Sequence, residues 1–284
     1  MIYRFRFLFL LAGLLILVGS FWFYLNKPEP EPIIAPRAEK TIRILEGWTN
    51  RDIADYLASQ DLFPATNFLA LVGSDQGTEK ISSSFNGPDL KIRYPWLPAD
   101  KDSLEGYLFP DTYRIFATST PEEVIIKMLD NFDNKLSPEM RSEITQQGKT
   151  IQEIVNLASI IEKEAPITGG EEGDRDAKMI SGVFYNRLRI GQALQSDATL
   201  SYIFNDNKPQ HSGPELEIDS PYNTYKYRSL PPGPIGNPGL AAIKAAIYPT
   251  DTNYYYFLTP TGSRDVIYAR NYNEHLQNKY KYLR

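Results

Sequence analysis

The chain of 284 residues has no cysteine and only two histidines. Without cysteine there are no disulfides, no thiolate chemistry and no lipid-modified cysteine anchor. His211 lies in a long loop and His275 near the C-terminus, so neither a His-rich metal site nor a Ser-His-Asp triad has support, and no metal or cofactor is expected. No S-x-x-K or G-x-S-x-G pattern occurs. The glycine pattern from Gly233 to Gly239 lacks a preceding strand, and its prolines suit a turn better than a phosphate cradle. A basic excess is also missing: the net charge is −5, which argues against nucleic acid as a partner. Carboxylate chemistry remains.

What is present begins with an uncharged run of about 19 residues, Phe7 to Leu25, the length that crosses a bilayer core of roughly 30 Å as a helix. Arg4 and Arg6 precede it, and an acidic, proline-rich stretch follows. The positive-inside bias therefore puts residues 1–6 in the cytoplasm, a transmembrane helix at 7–25 and the body outside, anchored in the cell membrane. A cleavable signal peptide is the rival reading, but the run is long for an h-region and no A-x-A-like site ends it. Residues 26–40 read as a stiff proline-rich linker.

The remainder predicts an α+β fold. Thr41 to Gly47 alternates as a strand, Thr49 with Asp52 caps a helix, and a second short helix follows Pro64. This small α/β module resembles the start of a LysM-like carbohydrate-binding module. Residues 74–102 read as an irregular connection, which sets a boundary between a module at 41–102 and a larger, mostly helical domain at 103–284. In that domain Glu105 to Phe116 predicts an edge strand or two short strands broken at Pro110. Helices begin at Thr120–Glu123 and Ser137–Pro138, and another, after Gly173, stops at Gly191. A short helix at Gly239–Tyr248, a hairpin from YYYFL and VIYAR, and a terminal helix at Tyr272–Tyr282 complete the chain.

Two stretches carry chemistry. Thr150 and Glu153 form a capping box, and Pro166 ends the helix between them, TIQEIVNLASIIEKEAP. Gln152, Asn156, Ser159 and Lys163 form its narrow solvated strip, and aliphatic residues cover the rest. Glu162 and Glu164 both fall off that strip, so each must find a partner or stay protonated, as a proton donor near neutral pH must be. Pairing with Lys163, Arg175 or Arg187 is the structural alternative. The second stretch, residues 205–238, is dense in Pro, Gly, Asn and Tyr. A loop this long in a compact domain points to ligand binding, and its tyrosines offer stacking faces. Glycoside cleavage is the reaction that most often sets a carboxylic acid beside an ether oxygen, with aromatic and amide groups holding the sugars.

LASIIEKEA, VFYNRLRIG, LQSDATLSY, SPYNTY, LPPGPIGNPG and LEGYLFPDTY together resemble the endolytic murein transglycosylase family, also called the YceG-like family, from about Thr41 to the C-terminus. The resemblance implies a membrane-anchored lytic transglycosylase that cuts nascent peptidoglycan glycan strands internally, between N-acetylmuramic acid and N-acetylglucosamine. It assigns the catalytic acid to the second Glu of E-K-E, Glu164. Asn186, Gln195, Asp197, Tyr222, Asn223 and Tyr225, the polar and aromatic members of these motifs, are then the expected substrate contacts. It also suggests penicillin-binding proteins as partners. Asp197 or Glu162 could serve as a second carboxylate, so a lysozyme-like hydrolase is the alternative, followed by a non-catalytic wall-binding scaffold.

Overall fold

The computed structural model describes residues 2–26, 37–73, 88–98, 103–165, 171–206, 208, 210–260, 262–263 and 265–283, without the side chains of 2–12, 14, 88–89 and 171–172. The chain divides into two compact units, Met1–Arg37 and Ala38–Arg284.

Among its described residues the first unit holds one helix, α1 (Ile2–Leu25), whose side chains from Leu15 to Leu25 are exposed. Among the described residues no helix is long and apolar enough to cross a membrane. Residues 7–12 and 14 of the expected span lie outside the described side chains, and residues 27–36 of the expected linker lie outside the described residues.

Among its described residues the second unit mixes two small antiparallel sheets with helices. Strand β1 (Glu39–Arg43) pairs with β2 (Thr112–Phe116), Ile42 opposite Tyr113, and both side chains enter the core. The ladder crosses the division expected near residue 102. Between the strands come α2 (Asn50–Ser59), α3 (Ala65–Val72) and α4 (Pro88–Arg93). The strand expected over Glu105–Phe116 is confined to the part after Pro110. Before it the chain turns through Gly106 at φ +89°, where a side chain would meet Pro234 at 2.5 Å and Val155 at 2.8 Å. Leu104, Tyr107, Leu108 and Phe109 are buried there instead.

Helices α5 (Pro121–Lys135) and α6 (Pro138–Gln146) follow, then α7 (Ile151–Glu164), α8 (Glu171–Arg189), α9 (Asp197–Phe204) and α10 (Leu240–Ile247). The hairpin of β3 (Tyr256–Leu258) and β4 (Ile267–Ala269) and helix α11 (Tyr272–Tyr282) close the chain. Capping boxes form at Thr49–Asp52, Thr120–Glu123 and Thr150–Glu153. Each fixes its helix start by satisfying orphan N–H groups locally.

Helix α7 packs on α8 and α10, and its Ile154, Val155, Leu157, Ala158, Ile160 and Ile161 are all buried. Its polar strip departs from the expectation of solvent exposure. Asn156 and Ser159 are buried because the proline-rich loop lies along them: Asn156 Nδ2 donates to the Pro231 carbonyl at 2.6 Å, and the Ile235 N–H donates to Ser159 Oγ at 3.0 Å. An irregular backbone has no ladder to satisfy its polar groups, so short helix side chains do it.

Candidate active site

Glu164 is the last residue of α7, where Ala165 leaves the helix in an extended conformation. Its carboxylate reaches the start of α9. Ser196 Oγ donates to Oε1 at 2.5 Å, and the Ala198 N–H donates as well. The pKa is nevertheless raised, because burial penalises the anion more than these bonds favour it. The neighbouring Asp197 charge pushes the same way, and Arg187 opposes through space. Arg187 itself is buried and spends its N–H groups on the carbonyls of Leu194 and Tyr255, with its guanidinium 5.1 Å from the Tyr256 ring centre.

Two residues apart on a helix, Glu162 and Glu164 point about 200° apart. Glu162 faces packed backbone: its Oε2 accepts from the Gly239 N–H, the cap of α10, at 2.9 Å. Burial, with Glu46 nearby, pushes its pKa up to about 7 against the Gly239 bond and Lys163. Glu164 instead lines an open cleft of about 250 Å³. Asp197, Ser201 and Tyr202 of α9 form one wall, Asp206 and Lys208 extend it, and Thr49 and Asp52 at the start of α2 form another. The N-terminal α/β region thus contributes directly to the site.

The expected contact residues divide. Asp197 lines the cleft beside Glu164, and Tyr225, half-buried, donates its hydroxyl to Asp197. Tyr222 packs on the cleft residue Tyr202 with ring centres 5.1 Å apart. Gln195 is exposed and left-handed at φ +50°, held by its N–H to the Thr224 carbonyl; such a conformation in a residue with a side chain often marks a functional site.

Asn186 and Asn223 correct the expectation of substrate contact. Asn186 is buried, gives both amide hydrogens to the carbonyls of Thr252 and Tyr254, and accepts from Arg189. Asn223 is fully buried, gives both to Leu216 and Ile218, and accepts from the Tyr225 N–H. An amide has two donors and one oxygen, so neither has a hydrogen left for a sugar. They brace the loops that carry Tyr254 and Tyr225.

Sequence reasoning missed Ser196, Thr49, Asp52, Asp206 and His211. Ser196 stands in the LQSDATLSY motif directly before a helix, a position that selects a hydroxyl for capping. Here that hydroxyl goes to Glu164, not to its own helix. Also unforeseen was a buried carboxylate outside the cleft. Glu105 accepts from the Asn50 N–H and from Asn237 Nδ2, while Asn237 also bonds the Trp48 carbonyl and the Leu108 N–H. This network clips the GPIGNPG turn to the segment between β1 and α2. Close approach explains the turn's glycines, since a Cβ on Gly236 would meet the Gly47 carbonyl oxygen at 2.7 Å.

The site sets one Glu of raised proton affinity at an open polar cleft flanked by tyrosines. Residues 26–281 match the model of the YceG-like family, and the chain belongs to that family. It is 34% identical over 242 residues to the endolytic murein transglycosylase of Bacillus subtilis (strain 168), covering 85% of this chain and 65% of that protein. It is 35% identical over 263 residues to the endolytic murein transglycosylase of Streptococcus pneumoniae serotype 2 (strain D39), covering 87% of this chain and 44% of that protein. The chain thus spans about two thirds or less of the length of these curated relatives. A crystal structure of a YceG-like protein from Listeria monocytogenes superposes with a TM-score of 0.72 at 34% identity, over 86% of this chain and 76% of that one.

Proposed function

We propose that this protein is an endolytic lytic transglycosylase acting on peptidoglycan glycan strands, with Glu164 as acid and then base. The observation that carries the reading is a carboxyl of raised proton affinity, open to the cleft, in a chain of this family. Protonated Glu164 gives its proton to the glycosidic oxygen as the bond from muramic C1 breaks. The C6 hydroxyl of the same sugar closes on C1, and its proton returns to Glu164. One carboxyl serves both steps, the ring closes as a 1,6-anhydro sugar, and no water is consumed. Ser196 orients the carboxyl, Asp197 favours its protonated form, and Tyr225 holds Asp197.

The experiment is product analysis: glycan fragments from the wild-type protein should carry 1,6-anhydro-muramic ends, one water lighter than reducing ends, and Glu164→Gln should yield none. Reducing ends would instead support hydrolysis with Asp197 as the second carboxylate, a reading favoured by its place in the cleft beside Glu164.

We also propose that the apolar run in α1 anchors the protein in the cell membrane, with the N-terminus cytoplasmic and the body outside. The segment β1–α2–α3 serves as a LysM-like module beside the cleft. Support comes from the charge bias around residues 7–25 and from Thr49 and Asp52 lining the site. Protease added to spheroplasts should digest everything after residue 26; a protected body would refute the topology. Anchoring would place the site near strand polymerases, so contact with penicillin-binding proteins belongs to the same proposal, and in-cell crosslinking that recovers none would remove it.

A further inference from the structure

His211 has no part in the mechanism above, yet it is buried against the site. Its side chain is fully enclosed, with Nδ1 facing Asp197 Oδ1 at 3.6 Å and Nε2 facing Asp206 Oδ1 at 3.3 Å. Its backbone N–H donates to the same Asp197 oxygen at 2.9 Å, and Phe204 stacks on the ring with centres 5.6 Å apart. Asp197 opens α9 and Asp206 lies just past its end, so one imidazole touches carboxylates from both ends of the helix. Neither ring nitrogen completes a well-aligned hydrogen bond. The other charges around the ring are Lys208, paired with Glu215 and 3.6 Å from Asp206, and Glu215 itself. Both lie on the solvent side.

We propose that His211 is a positioning residue for the reaction, a clamp that pins the Asp197 carboxylate beside Glu164 by bridging the two ends of α9. The inference rests on the assignment of Glu164 as the acid. A protonated imidazole presents one N–H to each carboxylate. A neutral ring presents only one, and its other nitrogen turns a lone pair toward a carboxylate oxygen. Asp197 matters because a negative charge next to Glu164 favours the protonated acid that the first step requires. If Asp197 swings away, Glu164 ionises more readily and fewer molecules hold the proton to be donated.

The test uses the full chain in detergent and follows glycan cleavage against pH. His211→Gln should lower kcat about tenfold with KM changed less than about twofold, as expected when a reacting group is misplaced and substrate binding is not. The alkaline limb of the profile should move to lower pH. Asp197→Asn should move the limb the same way, and adding His211→Gln to it should have little further effect, since coupled residues are not additive. Histidine 13Cε1 signals give a readout independent of activity: with two histidines in the chain, Asp197→Asn should move the His211 signal at fixed pH and leave that of His275 in place.

Wild-type kcat and limb position in His211→Gln, or a full additive effect in the double variant, would overturn the clamp. Should His211→Gln fail to fold, Asp206→Asn removes one arm and should give a smaller change of the same sign; wild-type behaviour there would also overturn it. Activity in Glu164→Gln would instead sink the functional assignment, whereas an inactive Glu164→Gln with an additive His211–Asp197 pair would sink only the clamp.

Discussion

The two sides of the last turn of α7 hold the same residue in opposed situations. Glu162 and Glu164 are both shifted upward chiefly by burial, and both accept a backbone N–H at the start of another helix, α10 for the first and α9 for the second. On the Glu162 side the neighbours are Gly239, Glu46 and the clipped GPIGNPG turn, packed so closely that a Cβ on Gly239 would overlap Glu46. On the Glu164 side the neighbours are hydroxyls and carboxylates at a cleft, and one of the donors that hold it, Ser196, is a side chain. A raised carboxyl pKa therefore does not by itself mark an active site. What separates the two is whether a substrate oxygen can approach and whether the surrounding groups can respond.

The comparison breaks most visibly at Glu164. Glu164→Gln keeps the shape and removes the proton, so cleavage should fall about 10³-fold with an unchanged melting temperature, because general acid–base catalysis contributes roughly 10²–10⁴-fold. Measurable activity near the wild-type level would place the chemistry elsewhere. On the other side, Asn237→Ala should act on stability: it strips partners from buried Glu105, the Trp48 carbonyl and the Leu108 N–H at once, at a cost of about 3 kcal/mol in urea unfolding. A loss under about 1 kcal/mol would mean the network is not what clips the turn.

Ser196→Ala sharpens the Glu164 side. Removing a donor to the carboxylate raises its proton affinity, so the alkaline limb should move to higher pH while kcat drops about tenfold from lost orientation. The direction is opposite to that expected for Asp197→Asn, which separates the two neighbours of the same group.

Glu162→Gln has the smallest expected effect. The folded pKa of Glu162 is raised to about 7, above its ordinary value of 4.5. Its stabilising contribution is therefore complete below about pH 4.5 and is lost as pH rises toward about 7. A neutral Gln should flatten that slope and raise stability at pH 8 by on the order of 1 kcal/mol, with cleavage left near the wild-type rate. Thermal melts of both proteins across pH 4–8 decide it; parallel curves would refute the shift.

Much of the helical framework was legible locally. The three Thr-x-x-Asp/Glu boxes, Pro138 after Ser137, and the exit before Pro166 lie where the helices begin and end, because caps satisfy backbone groups within a few residues of themselves. The strand expected from Glu105 failed in its first half because the alternation that suggests a strand also suits a turn whose hydrophobic residues are all buried. Only Gly106 meeting Pro234 and Val155 distinguishes the two. Asn186 and Asn223 looked like amides for a sugar; their hydrogens go to carbonyls from 5 to 68 residues away, which no spacing reveals.

By itself the sequence determined most helix boundaries, though not the short helices α4 and α9, together with the apolar faces, the absence of thiol chemistry and the family to which the chain belongs. Those follow from local hydrogen-bond supply, periodicity and which reactive groups exist at all. Tertiary structure decided which polar residues are spent on the fold and which remain for a substrate. It covered much of the polar strip of α7 with a proline-rich loop, turned Glu162 into a cap for α10, and set Ser196 and Asp197 beside Glu164 with His211 against Asp197. Burial and hydrogen-bond partners depend on segments distant in sequence, so the proton affinity of a carboxyl, unlike its place on a helix, exists only once the chain has closed around it.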